Sequence, residues 1–447
     1  MAVLKISVGV ALLAIMLQYF GVTPPIPGLE FLSPRLSGNG MGAGSINTAK
    51  LLTDLNSDVR PQPLQGAAPQ GVSDPQDEMH PLAALQRSAS AALSVMYLAS
   101  MPGLRDQVKA APGVIESLAR RVLTVDLELA KQVVLQQQAA LQKAQQRAKL
   151  GPAAGAAAAA QPPPELVSVG LLALAKLAAG DPALAGWLLG DSGRGAGAGV
   201  ARARLAEGLV LSCVDRVMRS GVPSWQAAAA VLLHSLAGPG QLAQRAVQGW
   251  VAERTEGLID VGMGLLETGA FMNSTDALSS GSQLLELVAR EPAGRQQLVA
   301  SGAQPVILQV LLTYAGTNGT STAVGDTVRL LRQLMVVPAG SASGSDDDGP
   351  GTPAAELLRN VTNAGLVAPL VREVRLGNRA SLAPSLALLL DIMKAEPPAG
   401  TGSRSGGGRN SDSDSRSSTV PDSAHEAVGT GLLSLCAQLL FQAADEA

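Results

Sequence analysis

Aromatic residues are scarce in this chain of 447 residues: three Trp, three Tyr and four Phe make up 2% of it. Proteins that bind single-stranded nucleic acid stack bases on aromatic side chains, and β-sandwiches and barrels place aromatic residues on their strands. Charge is also sparse, at 15% of residues against a typical ~25%, and the net charge of −3 leaves no basic footprint for a phosphate backbone. The composition therefore argues against a nucleic-acid partner and favours helices that bury Leu and Ala.

Cysteine and histidine are too few for most metal or redox sites. The two cysteines, Cys213 and Cys436, lie far apart and neither belongs to a C-x-x-C motif. The three histidines, His80, His234 and His425, form no pair at helical spacing, as a helical metal site would require. No acid, base and nucleophile converge in the sequence either. We therefore predict a protein that is not an enzyme and that needs no cofactor and no metal.

The N-terminus is almost wholly apolar from Ile6 to Val22, and the residues before it extend the run to the ~20 residues that span a bilayer. Tyr19 and Phe20 lie at one end, where interfacial aromatic side chains belong. A Pro-Pro pair then ends the helix. These features predict a transmembrane signal anchor at 1–22, which contacts the membrane through residues 3–22; a cleaved signal peptide is the alternative.

The predicted anchor leaves the compartment open. The positive-inside rule weakly places the body of the protein across the membrane from the cytosol. N-x-[ST] sequons begin at Asn273, Asn318 and Asn360, and a secretory lumen would permit glycans there. The opposite arrangement is an anchor in an organelle's outer membrane with the body in the cytosol. We therefore expect a single-pass membrane protein of the endoplasmic reticulum, another endomembrane or an organelle outer membrane.

Changes in composition divide the rest of the chain into segments. Residues 23–80 are rich in Gly, Pro and Ser and predict a flexible linker. Residues 81–396 are helix formers interrupted by low-complexity inserts. Residues 397–423 form a Gly/Ser/Asp/Arg tract too polar to fold alone, and residues 424–447 predict a helix that caps the C-terminal end. The stretch from Val114 to Lys149 predicts one long helix that projects from the body like a coiled-coil segment.

Apolar residues at helical spacing predict the other helices. No segment alternates apolar and polar residues long enough to predict a strand. The predicted helices cover residues 83–100, 166–179, 227–237, 282–290, 324–337, 355–362, 382–394 and 427–442.

A repeat connects these helices. Residues 282–312 predict a helix, a Pro/Gly turn, a short helix that ends at Gly302 and a further helix that opens around Pro305. The same order recurs at 91–120, and parts of it recur at 170–189 and 355–374. This order resembles the armadillo repeat, whose units of ~40 residues hold two or three helices. The resemblance implies an all-α fold, a right-handed α-solenoid of armadillo- or HEAT-like repeats, in which stacked repeats share one continuous core.

The resemblance also implies candidate binding residues. In armadillo families the third helices line a groove that binds extended peptides, often through an Asn ladder with Trp one turn earlier. Alignment on the family's L-x-N-L pattern matches Asn only at Asn360, and finds no Trp in the preceding turns, which hold Leu93, Leu172 and Val231. The ladder positions are Tyr97, Lys176, Ser235, Leu287, Gln333, Asn360 and Asp391.

The leading functional prediction is a membrane-tethered, non-catalytic scaffold or adaptor whose groove binds a protein partner. Because the groove lacks the Asn ladder and the Trp residues of nuclear-import receptors, we do not expect it to bind a basic localisation signal. The alternative prediction is a lumenal nucleotide-exchange factor for a DnaK-type chaperone, because such factors include armadillo proteins of similar length with a signal sequence.

Overall fold

A computed structural model describes residues 48–56, 81–136, 139, 165–190, 205–238, 240–335, 357 and 360–395. These residues form helices and turns, and no strand occurs among them. The prediction of an all-α fold is confirmed. The predicted anchor at 1–22, the tract at 397–423 and the capping helix at 424–447 lie outside the described residues. Within the described ranges no helix is both long enough and apolar enough to cross a bilayer.

The chain divides after Val247 into two compact units, and the division falls within one helix, Gln241–Ala252. Unit 1 begins with a helix that lies in the predicted linker. Its helices are α1 Thr48–Leu55, α2 Pro81–Ser100, α3 Pro102–Ala110, α4 Val114–Leu123, α5 Leu166–Ala178, α6 Pro182–Leu188, α7 Leu209–Met218, α8 Pro223–Ala237 and α9 Gln241–Ala252. Residues 127–136 are also helical.

Unit 2 holds the remaining helices. They are α10 Thr255–Met272, α11 Thr275–Ala289, α12 Pro292–Ala300, α13 Ala303–Tyr314, α14 Ser321–Met335, α15 Val367–Arg375 and α16 Arg379–Ala395. Residues 360–363 are helical as well.

The same turn recurs between short helices in both units. A glycine with left-handed backbone precedes α4, α7 and α13: Gly113 has φ 77°, Gly208 has φ 73° and Gly302 has φ 75°. A side chain there would be strained, so glycine specifies a sharp turn at each of these points. The short helices α3, α6 and α12 each begin at a proline, which has no N–H to leave unpaired in the first turn. The repeat predicted from residues 282–312 is therefore present.

Each repeat ends in a third helix, and consecutive third helices pack side by side. In unit 1 α2 packs against α5 and α5 against α8; in unit 2 α11 packs against α14 and α14 against α16. Their inner faces are filled with Leu, Ala and Val, such as Leu98, Leu174 and Leu233. Small side chains let these helices approach closely, which accounts for the Ala-rich composition.

Two predicted segments differ from the structure. Part of the predicted linker, residues 48–55, is the helix α1, because Leu51 and Leu55 are buried where α1 packs on α2 and α4. The long helix predicted from Val114 is also wrong: α4 ends at Leu123, and Asp126 Oδ1 accepts hydrogen bonds from two N–H groups that start a new helix.

The helix α10 is not among the predicted helices, and it contains four glycines. Two of them are required by packing: a Cβ on Gly262 would lie 2.5 Å from Leu285 Cδ2, and one on Gly269 would lie 2.8 Å from Leu278 Cγ. Gly281 of α11 makes the reciprocal contact with α10: a Cβ on Gly281 would lie 2.9 Å from the Gly262 carbonyl oxygen. Glycine here permits close contact between α10 and α11 instead of ending a helix.

Candidate functional site: the exposed faces of the third helices

In unit 1 the third helices share an aliphatic row. Leu93 of α2, Leu172 of α5 and Val231 of α8 are each only partly buried. One helical turn later stand the predicted ladder residues, which therefore lie on the same helix faces. The Leu172 face is defined as these six residues: Leu93, Tyr97, Leu172, Lys176, Val231 and Ser235.

The Leu172 face combines aliphatic surface with one cation and one phenol. Tyr97 is 49% exposed, Lys176 is exposed and Ser235 is half-buried. Because side chains at i and i+4 lie above one another on a helix, each helix offers an aliphatic group beside a polar one. The face is suited to an extended chain with apolar side chains at intervals.

Polar contacts at the helix ends fix the helices that carry this face. Glu165, at the start of α5, accepts hydrogen bonds on Oε2 from Ser224 Oγ and from Trp225 Nε1, both at 3.0 Å. Ser224 and Trp225 are in the first turn of α8, and Trp225 is fully buried. The contact therefore sets the register of α8 against α5 at their N-terminal ends.

The other end of α5 is held from the first helix of the repeat. Arg105 of α3 donates to the carbonyls of Leu177 and Ala179, which lie where α5 has no intrahelical partners left. Lys109 of α3 makes a 2.6 Å ion pair with Asp181, which caps α6. Cations at a helix C-terminus also complement its dipole. The position of Lys176 on the surface follows from this clamp.

A small cavity lies near the N-terminal ends of α2, α5 and α8. It is lined by Trp225, Glu165, Leu85 and Val134 among others, and it measures about 20 Å³. A volume of this size accommodates about one water molecule.

In unit 2 the corresponding surface is charged. The Ser279 hydroxyl and the Gln283 amide of α11 both donate to the Asp326 carboxylate of α14, and Gln283 Nε2 lies 2.8 Å from Asp326 Oδ2. Arg329 pairs with the same carboxylate. Arg329 Nε also lies 3.8 Å from Glu286 Oε2. The Arg329 face is defined as the residues of this network and its neighbours: Ser279, Gln283, Glu286, Arg290, Asp326, Arg329, Arg332 and Asp391.

The Arg329 face extends to α16, the last of the third helices in unit 2. Arg332 Nε of α14 lies 2.8 Å from Asp391 Oδ2 of α16. Arg290 Nη2 lies 3.2 Å from Glu286 Oε1 on its own helix α11. The network thus connects α11, α14 and α16 through side chains as well as through their apolar packing.

The predicted ladder holds at some positions and not at others. Leu287 is buried at 1% exposure, and Glu286, one residue earlier, is also buried, at 8% exposure. Asn360 lies on a helical stretch that is followed by the left-handed Gly365 and then by α15. In the other repeats this is the position of the short first helix, so the prediction that Asn360 lies on a third helix is corrected. Gln333 is half-buried beside the Arg329 face, and Asp391 is bound to Arg332.

The described helices recur in the order of a short helix, a second helix and a longer third helix. Solved structures similar to this chain include a designed armadillo repeat protein, 12% identical, with a TM-score of 0.38 over 77% of this chain and 98% of the other. A second designed armadillo repeat protein, solved in complex with the peptide (KR)4, is 11% identical with a TM-score of 0.38 over 77% and 99%. An engineered protein is 15% identical with a TM-score of 0.38 over 69% and 92%. No family model and no curated protein matches the sequence.

All three sequon asparagines are exposed. Asn273 and Asn318 lie in exposed turns, and Asn360 is exposed on its helical stretch. Asn273 has φ 54° at the end of α10, a left-handed conformation that Asn tolerates better than most residues. Glycosylation of the three sites therefore meets no steric barrier from the described residues, and it stays a prediction.

Few groups in the repeats carry reactive chemistry. The structure describes no cluster of three or more His, Cys, Asp and Glu side chains that could hold a metal ion. Cys213 of α7 is fully buried, and burial raises the pKa of its thiol above the ordinary 9.0, against a smaller lowering by Arg216. Such a thiol stays protonated and is a poor nucleophile.

Proposed function

We propose that the protein is a scaffold that binds a protein partner through the Leu172 face. The observation that carries this proposal is the row of partly exposed aliphatic side chains on packed third helices, Leu93, Leu172 and Val231. Aliphatic groups in such a row gain free energy when a partner removes them from water, at about 25 cal/mol per Å².

The kind of partner follows from the shape and chemistry of the face. One side-chain position recurs on each third helix, so an extended segment can place successive residues against successive helices. The face offers aliphatic contacts flanked by Tyr97 and Lys176, and aromatic and cationic groups often anchor interfaces. We therefore propose an extended segment with spaced apolar residues, rather than a globular surface, as the ligand.

The test is selection of peptides from a random library on the full chain, followed by affinity measurements on variants. Leu172→Glu places a charge at the centre of the face, and we expect selected peptides to lose at least about tenfold in affinity, since central interface positions carry ~2 kcal/mol or more. Gln107→Glu is the matched control, because it adds the same charge to exposed surface on α3. Equal affinities for the two variants would remove the Leu172 face from the function.

We further propose that residues 1–22 tether this scaffold to a membrane. The support is the apolar run from Ile6 to Val22 and the aromatic pair at its end. Carbonate extraction of membranes, compared with a chain that lacks residues 1–22, tests the tether: the full chain should stay with the membrane and the shortened chain should not.

The compartment decides between the scaffold and the alternative prediction, a lumenal nucleotide-exchange factor. The exposure of Asn273, Asn318 and Asn360 is compatible with a lumenal body. A glycosidase-sensitive mass shift together with acceleration of nucleotide release from a lumenal DnaK-type chaperone would establish the alternative. Protease digestion of the body on intact organelles would exclude it.

A further inference from the structure

The Arg329 face is layered by charge. The carboxylates of Asp326 and Glu286 lie below the surface, with side chains 1% and 11% exposed. The guanidinium groups of Arg329 and Arg332 lie above them, 41% and 40% exposed. The face therefore has three anions, Asp391 included, but the groups that a partner would meet first are largely arginines.

The buried carboxylates hold Arg329 in place. Asp326 binds its terminal nitrogen from the same helix, and Glu286 reaches its Nε from α11. Arg332 is oriented in the same way by Asp391 from α16. A guanidinium group carries five N–H donors in a fixed fork, so each arginine can keep its own carboxylate and still donate outward. The ordering that a ligand would otherwise impose on these side chains is already present.

We propose that the Arg329 face binds acidic segments of a partner protein, with Arg329 and Arg332 donating to Asp or Glu carboxylates. The proposal rests on the scaffold function proposed above and names the partner chemistry of its unit 2 surface. Charge complementarity decides the occupant: the side chains of Arg329 and Arg332 are 41% and 40% exposed, whereas those of Asp326 and Glu286 are 1% and 11% exposed. A basic segment would meet these arginines before it reached Asp326 or Glu286.

The probe is a fluorescein-labelled peptide of alternating Glu and Ser, with a Lys and Ser peptide as its counterpart, and fluorescence anisotropy with the full chain is the measurement. We expect the acidic peptide to bind more tightly than the basic one and to weaken as salt is raised, because exposed charges are screened. Tighter binding of the basic peptide would overturn the proposal.

Paired variants separate recognition from structure. Arg332→Gln removes a donor whose partner Asp391 is itself 34% exposed and tolerates the loss; we expect affinity for the acidic peptide to fall about three- to fivefold. Asp391→Asn removes the competing carboxylate, so affinity for the acidic peptide should rise. If the ion pair only braced the helices, both variants would weaken binding, which would contradict the proposal.

Two further outcomes define its limits. If Asp346, Asp347 and Asp348 are changed together to Ser and affinity for the acidic peptide rises, the chain's own acidic segment occupies the face and the assignment to a partner fails. If library peptides bind in a manner sensitive to Leu172→Glu while the acidic peptide does not bind, this inference fails and the scaffold function stands. Loss of all peptide binding would instead remove the scaffold function.

Discussion

Gly325 gives the sharpest test of how the third helices pack. It lies inside α14, where replacement of glycine by alanine ordinarily stabilises a helix by about 1 kcal/mol. A Cβ at this position would, however, lie 2.4 Å from the Ala380 carbonyl oxygen and 3.2 Å from Ser381 Cα, in the first turn of α16. These are backbone atoms, so no side-chain rotation relieves the overlap.

The overlap outweighs the gain in helix propensity. Ser381 is fully buried and its hydroxyl donates to Glu373 Oε1 at 2.6 Å, so the first turn of α16 is held in place. Overpacking of a filled core costs about 1–3 kcal/mol, and the upper part of that range applies where backbone must move. Subtracting about 1 kcal/mol of propensity, we expect Gly325→Ala to lower the free energy of unfolding by about 2 kcal/mol.

The same unit provides a control of opposite sign. Gly264 lies inside α10, is exposed and has no atom within 4 Å of its Cβ position, so Gly264→Ala should stabilise by about 0.5–1 kcal/mol. Thermal unfolding followed by circular dichroism measures both, at about 2–4 °C per kcal/mol for a unit of this size. We expect the midpoint to fall for Gly325→Ala and to rise for Gly264→Ala. If both rise equally, α14 and α16 are not in close contact.

Three further outcomes follow from buried groups. Cys213 should resist alkylation in the folded chain and react on unfolding, as thiol labelling in a Cys436→Ser background would show. Because its folded pKa is raised, the protonated thiol favours the folded state below the ordinary pKa of 9.0, and this contribution is lost as pH rises through the folded pKa, so denaturant midpoints should fall above pH 9. Trp225→Phe removes a donor to a glutamate and leaves space in a full core, so we expect a loss of about 2 kcal/mol in chemical denaturation. Glu373→Ala removes the acceptor of the Gly316 N–H and the closer of two acceptors of the Ser381 hydroxyl, and it should cost about 2–3 kcal/mol in the same assay, whereas an effect under about 0.5 kcal/mol would show that water replaces the carboxylate.

The fold was predictable where local chemistry and packing agree. Left-handed glycine and helix-starting proline mark the turn around Gly302, and both are visible in the sequence before any contact is known. The helix α10 was not predictable in this way, because Gly262 and Gly269 look like breaks until their contacts with α11 are seen. A glycine that ends a helix cannot be distinguished in the sequence from a glycine that allows a neighbouring helix to pack closely. Only the tertiary contact distinguishes them.

The candidate faces show the same limit at the level of single residues. Of the ladder positions in unit 1, Tyr97 and Lys176 are exposed and Ser235 is half-buried, because α2, α5 and α8 keep the apolar pattern of the repeat. At α11 the ladder position is Leu287, which is buried. A shift of one residue turns a helix by about 100°, enough to exchange an aliphatic position for a charged one.

Glu286 is 8% exposed, and two arginines hold its carboxylate. It pairs with Arg290, which directly follows α11, and approaches Arg329 on α14, some forty residues further along the chain. Such a buried carboxylate would be costly without its arginines, so the charged register of α11 depends on α14. The aliphatic face of unit 1 has no such dependence, since Leu172 needs only its own helix to reach the surface. The pattern within one helix therefore indicates the positions of the Leu172 face, whereas of the Arg329 face it indicates only Asp391.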